Sequence, residues 1–239
     1  MAKIQNILAD LIFHPIKSLR SFKRSLIKTP FFASRITRQF HQLYYGMEKR
    51  TWGETYWMGV RVLKCPLDLW IYQEILHKVK PDLIIECGTA SGGSAYYFAS
   101  LMDLLGKGRI VTIDIHDFPR PQHERITYML GSSVDPEMFQ RVTAMINPGD
   151  TVMVVLDSDH SKGHVLKEMN LYGPVVSVGS YMTVEDSNQN GHPVSPYSGP
   201  GPMEAIEEFL PANRNFVVDE GCEKFYLTFN PKGYLKKVA

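Results

Sequence analysis

The sequence predicts a doubly wound, mostly parallel α/β sheet, and three observations predict it. Apolar runs of strand length alternate with helical stretches from residue 82 onward, the pattern of parallel strands with helices on both faces. The first run opens into a glycine loop and then a helix, DLIIECGTASGGSAYYFASLMDLL. Four of these apolar runs end in acids, at Glu86, Asp114, Asp157 and Glu185. The expected strands are 82–86, 109–114, 126–130, 151–157, 178–185, 215–218 and 225–229.

The elements follow in order. Residues 4–27 carry apolar side chains at helical spacing with a basic opposite face, and Pro15 divides them. Residues 1–40 hold eight lysines and arginines against Asp10 alone, which defines a basic helical arm. Such an arm fits peripheral contact with an anionic membrane or lipid-linked substrate. A solvated arm, or a helix packed on another subunit, fits it as well. Residues 41–80 form an aromatic-rich cap and a helix over 67–78 that begins beside Pro66. Trp52, Tyr56 and Trp57 either cover one end of the core or line a substrate cleft. Residues 81–239 form the main domain. Helices are expected between the first five strands, among them SVDPEMFQRVTAMI and SKGHVLKEMNLYG, with MEAIEEFL before the last two. The final pair, NFVVDEGCEKFYLTF, reads as a hairpin around Glu220 and Gly221 that leaves an antiparallel last strand.

Composition excludes some classes. The formal net charge is +1, so bulk electrostatics do not point to nucleic acid. Three separated cysteines form neither a CxxC pair nor a disulfide framework, which suits a reducing cytoplasm. No stretch approaches the roughly 20 apolar residues of a transmembrane helix, and the N-terminus lacks a signal-peptide cleavage site. A cytoplasmic protein, peripheral at most at the inner membrane surface, is expected.

The glycine loop is the chemical centre. Gly88, Gly92 and Gly93 follow a strand and open a helix, the layout of a nucleotide-type cofactor site. Dinucleotide sites favour G-x-G-x-x-G, and the close glycine pair that admits a pyrophosphate is missing here. Glu86, two residues before Gly88, is instead the pattern of S-adenosylmethionine (SAM) methyltransferases. Asp114, ending the next strand, is placed to accept from two ribose hydroxyls. His116 would border the adenosine. Ser132 and Ser133 either contact the adenine edge or cap the next helix.

Two acidic strand ends add a metal. VMVVLDSDHS ends in Asp157 and Asp159, and YMTVEDSNQ ends in Glu185 and Asp186. Neighbouring strands of this fold open at one edge, so the four acids should converge near the glycine loop. Carboxylates gathered this way repel unless a cation joins them, and a hard oxygen-liganded ion such as Mg²⁺ is the economical partner. Whether Asp157 or Asp159 is the primary ligand stays open. His160 is the candidate general base, with Lys162 a lesser one, and His164 is expected to flank the pocket one helical turn on. Residues 187–203, rich in Gly, Pro, Ser and Asn, are long enough to serve as a lid or acceptor loop.

Taken together, WMGVRVLKCPLDLWIYQEIL, PDLIIECGTASGGSAYYFASL, ITYMLGSSVDP, VVLDSDHS, VEDSNQNG, GPGPMEAIEEFL and the closing TFNPKGYLKKV resemble the cephalosporin hydroxylase (CmcI-like) family of SAM-dependent methyltransferases, which includes rhamnosyl O-methyltransferases. The resemblance covers residues 40–239. It implies a Rossmann-like seven-stranded sheet of the class I methyltransferase type, SAM, a Mg²⁺ site and a homo-oligomer. Carried over by position, it implies that Gly88, Ser91, Gly92, Ser94, Asp114 and Ser132 touch SAM, with Glu86, Thr89, His116 and Asp157 beside it. It also implies that Asp157 or Asp159 holds the metal with Glu185 and Asp186. His160 stands where catechol-type methyltransferases place a catalytic lysine, so the proton acceptor is a departure from that pattern. Despite the family's name, no H-x-D or H-x-E triplet of an iron oxygenase occurs. The expected activity is Mg²⁺-dependent O-methylation of a sugar, glycolipid or related natural product. The alternatives are tailoring of an antibiotic or phenolic small molecule, a non-catalytic SAM-binding partner of a separate oxygenase, and an NAD enzyme.

Overall fold

The computed structural model describes Ile27 and residues 29–239. Apart from Ile27, the basic stretch expected over residues 4–27 lies outside the described residues. The chain divides into two units, residues 1–43 and Tyr44–Ala239. In the first, helix α1 (Pro30–Gly46, running on into the second unit) exposes Phe31, Ile36, Phe40 and Leu43. No helix among the described residues is long and apolar enough to cross a membrane.

The second unit begins with two 3₁₀ turns and a short hairpin, β1 (Tyr56–Trp57) and β2 (Val60–Arg61). Helix α2 (Pro66–Val79) follows, with Pro66 in the first turn, where its missing N–H costs nothing. It stops at Lys80, which takes a left-handed φ of 49° ahead of Pro81. Then come β3 (Leu83–Cys87), α3 (Gly93–Leu105), β4 (Arg109–Asp114), β5 (Ile126–Leu130), α4 (Pro136–Thr143), β6 (Val152–Leu156), α5 (Lys162–Tyr172), β7 (Tyr181–Val184), α6 (Pro202–Ala212), β8 (Phe216–Val218) and β9 (Tyr234–Lys237).

The strands form one seven-stranded sheet in the order β5-β4-β3-β6-β7-β9-β8. β3 to β7 are parallel, and β9 runs antiparallel between β7 and β8. In register, Leu83 faces Arg109 on one side and Val152 on the other. β3 and β6 are entirely buried, so alternate residues feed two separate cores. Leu83, Ile85, Val152 and Val154 pack with Val165, Met169 and Tyr172 of α5 and Ile206 and Phe209 of α6. Ile84, Met153 and Val155 pack with Ile71, Tyr72 and Leu76 of α2 and Phe98 and Met102 of α3. Strand order reverses between β3 and β6, and such a switch point opens a crevice at the carboxyl ends of the strands.

Two expectations need correction. No helix joins β4 to β5. Pro119 and Pro121 break the connection, and Arg120 between them folds back to donate from Nε to the Ala90 carbonyl at 3.1 Å. The terminal hairpin is also different, because 225–229 is not a strand. Asp219 accepts the Gly221 N–H at 3.1 Å and starts a 3₁₀ turn at Glu220. Leu227 and Phe229 then pack on Cys65, Tyr44, Tyr45 and Trp52, and the Phe229 N–H donates to buried Asp68 at 2.8 Å. Their apolar alternation serves this small cluster. The antiparallel strand beside β8 is β9, from the closing YLKK.

Candidate active site

The glycine loop turns immediately after β3. Gly88 has φ +96°, and a Cβ there would fall 1.8 Å from the Asp157 carbonyl oxygen. A Cβ on Gly93 would fall 2.0 Å from the Arg61 carbonyl oxygen. Both glycines thus serve close backbone-to-backbone approach. Asp114 holds the loop in shape. Its Oδ2 accepts the N–H groups of Thr89 (3.0 Å) and Ala90 (2.7 Å), and its Oδ1 accepts that of His116 (2.8 Å). A carboxylate has about four acceptor positions, so these bonds leave it capacity toward the cleft.

Glu86 lies beneath the loop and does not line the cleft. It is fully buried on the α2–α3 side and accepts from Thr112 Oγ1 at 2.6 Å, and Thr112 is 2.7 Å from Thr89 Oγ1. Burial raises its pKa to about 7 against the pull of Lys64. Its Oε1 is buried without a hydrogen-bond partner. Ser132 lines the cleft, and Ser133 does so while donating to Glu168 at 2.5 Å. Neither caps α4, whose N-cap is Asp135, accepting from Glu137 and Met138 N–H at 2.9 and 3.0 Å.

The acids at the ends of β6 and β7 separate into distinct groups. Asp157, His160 and Asp186 place ligand atoms within 4.8 Å of one another, the one such group among the described residues. His160 Nε2 is 3.3 Å from Asp157 Oδ1, and its Nδ1 is 3.5 Å from Asp186 Oδ2 and 3.2 Å from Gln189 Nε2. Gln189 also donates to Asp186 at 3.0 Å. Asp159 is exposed and accepts the Ser161 N–H at 2.7 Å, ahead of α5. Glu185 is buried and turns to the core, where its Oε1 meets Lys64 Nζ at 2.6 Å and the Tyr72 hydroxyl at 2.5 Å. The expected four-carboxylate set is therefore split, because Lys64 takes Glu185 and a backbone amide takes Asp159.

Lys64 is the centre of the buried part of the site. Its side chain is 3 % exposed, and its ammonium bridges Glu185 to Asp157 Oδ2 at 2.7 Å. Its signal in the sequence is a lone lysine within the apolar run VRVLKCPL, which can be buried only against acids. Burial works against the charges of both Asp157 and Lys64, yet their pairing prevails. The Asp157 pKa falls to about 2, helped by His160, and that of Lys64 rises above the ordinary ammonium range. Burial raises Glu185 to about 8 despite Lys64. Burial alone would lower His160, but Asp157, Asp186 and Glu185 lift it to about 9.

One cleft of about 820 Å³ connects these parts. Gly88, Thr89, Ser91, Ser94, Asp114, His116, Ser132, Asp157, Asp159, His160, His164 and Asp186 line it, and Glu86, Gly92 and Glu185 do not. Tyr45, Trp52, Arg61, Phe118 and Gln189 are also in its wall. Of the aromatic trio weighed from sequence, Trp52 lines the cleft, Trp57 donates to Ser100 Oγ at 3.0 Å over α3, and Tyr56 is exposed.

A seven-stranded sheet with one antiparallel strand and a cleft at its switch point defines a class I methyltransferase fold. The model of the rhamnosyl O-methyltransferase/CmcI family matches residues 49–238. A rhamnosyl O-methyltransferase of Mycobacterium bovis (strain BCG / Pasteur 1173P2) is 40% identical over 229 residues, covering 92% of this chain and 91% of its own. One from Mycobacterium leprae (strain TN) is 40% identical over 211 residues, covering 84% and 90%. Among solved structures, CmcI with Mg and SAM superposes with a TM-score of 0.62 at 23% identity over 77% of each chain. The chain belongs to the rhamnosyl O-methyltransferase/CmcI family, and with it to the SAM-dependent O-methyltransferases.

Proposed function

We propose that the protein transfers a methyl group from SAM to a hydroxyl of a sugar, in the manner of the rhamnosyl O-methyltransferases it is 40% identical to. The observation that carries this reading is the single cleft joining the glycine loop to the Asp157–His160–Asp186 group. The residues present fit SAM. The cleft is of cofactor size, Asp114 keeps acceptor capacity for ribose hydroxyls, and Ser91, Ser94, His116 and Ser132 offer polar contacts. They also fit a hard divalent cation such as Mg²⁺, with Asp157 and Asp186 as its oxygen ligands. Lys64 and Glu185 support Asp157 from below.

SAM supplies an electrophilic methyl group, so the protein is left with orientation and proton removal. A bound divalent cation supplies charge that lowers the pKa of a nearby hydroxyl. His160 accepts the acceptor's proton at Nδ1, since Nε2 faces Asp157 and Nδ1 faces Asp186 and Gln189. In the cation-free protein the acids keep His160 protonated near neutral pH, with a pKa of about 9. Neutralising Asp157 and Asp186 frees the ring to act as a base. The 187–203 loop stands beside this group through Gln189, and Asn190 and His192 tie it to Glu204 at 3.0 and 2.9 Å. That anchoring supports its reading as an acceptor loop.

The test is calorimetric titration with S-adenosylhomocysteine (SAH), with Mg²⁺ or with EDTA, followed by labelled methyl transfer to rhamnosides. Saturable SAH binding and Mg²⁺-stimulated transfer support the reading. Absence of SAH binding in both conditions removes it.

A further inference from the structure

The glycine loop and the acid–histidine group do not use the whole cleft. Tyr45 and Trp52 also line it. Their rings stack at 5.3 Å between centroids and 26° between planes, and the Trp52 indole N–H donates to the Tyr45 carbonyl at 3.0 Å. Phe229 meets both rings edge-on, at 5.3 Å from Tyr45 and 5.7 Å from Trp52, which fixes the pair from the core side. The Phe229 carbonyl accepts the Asn188 N–H at 3.1 Å, and the next side chain, Asn230 Oδ1, accepts the Asp186 N–H at 3.1 Å. A rigid aromatic pair therefore adjoins the end of the cleft that holds Asp186, Gln189 and His160. Val62 and Leu63 extend the apolar lining.

We propose that Tyr45 and Trp52 form the recognition wall for the acceptor sugar. On this assignment the C–H face of a pyranose lies on the aromatic pair and its hydroxyl edge meets Gln189, Asp186 and His160. The inference rests on the sugar O-methyltransferase reading and deepens it. A pyranose ring carries an apolar face of C–H groups and a rim of hydroxyls, and this end of the cleft offers both complements side by side. Aromatic rings supply large contact area at little conformational cost, and rings already locked by packing lose little further entropy on binding. A polar rim alone would bind a sugar no better than water does, so the wall is where affinity and face selection arise.

The experiment uses the full chain with saturating SAM or SAH and p-nitrophenyl α-L-rhamnopyranoside as probe. Trp52→Leu is expected to raise the rhamnoside KM by about 10- to 100-fold and Tyr45→Leu by about 3- to 10-fold, on the scale of a lost aromatic stacking contact. In both variants kcat and the SAH Kd are expected to stay within about threefold, as for loss of uniform acceptor binding. Should Trp52→Leu fail to fold, Trp52→Phe keeps a ring in the cluster, and its loss of the rhamnoside-induced change in tryptophan fluorescence replaces the first readout. Folded variants with unchanged KM and an unchanged fluorescence response overturn the wall while leaving the methyltransferase reading intact. Parallel loss of SAH and rhamnoside affinity also overturns it, since that marks a purely structural role. A wild-type protein that binds SAH but neither binds nor methylates the rhamnoside overturns both the wall and the sugar reading.

Discussion

Glu185 and Asp186 are adjacent in the chain and opposite in role. Both follow β7, whose alternating directions send one side chain into the core and its neighbour to the cleft. Glu185 is 4 % exposed and bound by Lys64 and Tyr72. Asp186, at φ +55°, faces His160 and Gln189 beside open space. Asp157 stands between the two, with Oδ2 on Lys64 and Oδ1 on His160. The difference teaches that an acidic pair at a strand end need not be a pair of ligands. One acid can be the foundation on which the other is presented.

The comparison breaks most sharply at its cleft side. His160→Asn is expected to lower methyl transfer by about 10²- to 10⁴-fold, the usual contribution of a general base, while SAH binding by calorimetry persists. A variant that retains wild-type kcat would strip His160 of its role. On the core side the effect appears in stability. Lys64→Met leaves the buried Glu185 and the neighbouring Asp157 without their cation, and removing one partner of a buried pair costs about 3–5 kcal/mol. Urea unfolding measures this loss, and adding Glu185→Gln should restore part of it. If Lys64→Met unfolds at the wild-type urea concentration, the foundation reading is wrong.

These two halves were unequally legible in the sequence. Asp157, His160 and Asp186 could be found because each follows an apolar run whose strand period fixes where it ends. The spans of β3 to β6 were legible for the same reason, while their pairing was not and the class I sheet was implied by the family resemblance. Lys64 was not legible, because it reaches Glu185 across 121 residues, and no local spacing encodes a pairing made only by the fold. The misplaced terminal strand has a similar cause. Phe225 to Phe229 alternates like a strand, but Leu227 and Phe229 answer to Cys65 and Trp52, far away in sequence, and Phe225 to the core under α2 and α3. The prolines of the β4–β5 connection were plain in the sequence. There the expected alternation of strand and helix overrode a local signal that was correct.

Titration sharpens the comparison next. In the metal-free protein the folded pKa of His160, about 9, lies above the ordinary value of 6.5. Its stabilising charge is therefore fully present below about pH 6.5 and lost as pH rises through 9. Glu185 acts in the same direction. Its folded pKa of about 8 exceeds the ordinary 4.5, so folding favours the protonated form and stability declines as pH rises toward 8. Asp157 is opposite, with a folded pKa of about 2 against 3.8, and its contribution disappears only as pH falls below 4. Urea midpoints in EDTA should fall between pH 6.5 and 9. His160→Asn should flatten part of that fall, and Glu185→Gln another part. A profile that is level across this window in the wild type contradicts the charge arrangement of both acids.

The smallest effect separates the two aspartates of the β6 end. Asp159 lies two residues from Asp157 and lines the same cleft, yet its carboxylate accepts the Ser161 N–H and stands outside the Asp157–His160–Asp186 group. Asp159→Ala removes that contact with a backbone N–H and should cost about 1 kcal/mol of stability, as loss of a helix-capping side chain does. Mn²⁺ binding followed by electron paramagnetic resonance, and kcat with a rhamnoside, should stay near wild type. Asp157→Asn should instead abolish tight Mn²⁺ binding, because half of the two-carboxylate set is lost. A larger loss of Mn²⁺ affinity in Asp159→Ala than in Asp157→Asn would reverse the assignment. The metal would then sit toward the exposed mouth of the cleft, and Lys64 would be supporting the wrong aspartate.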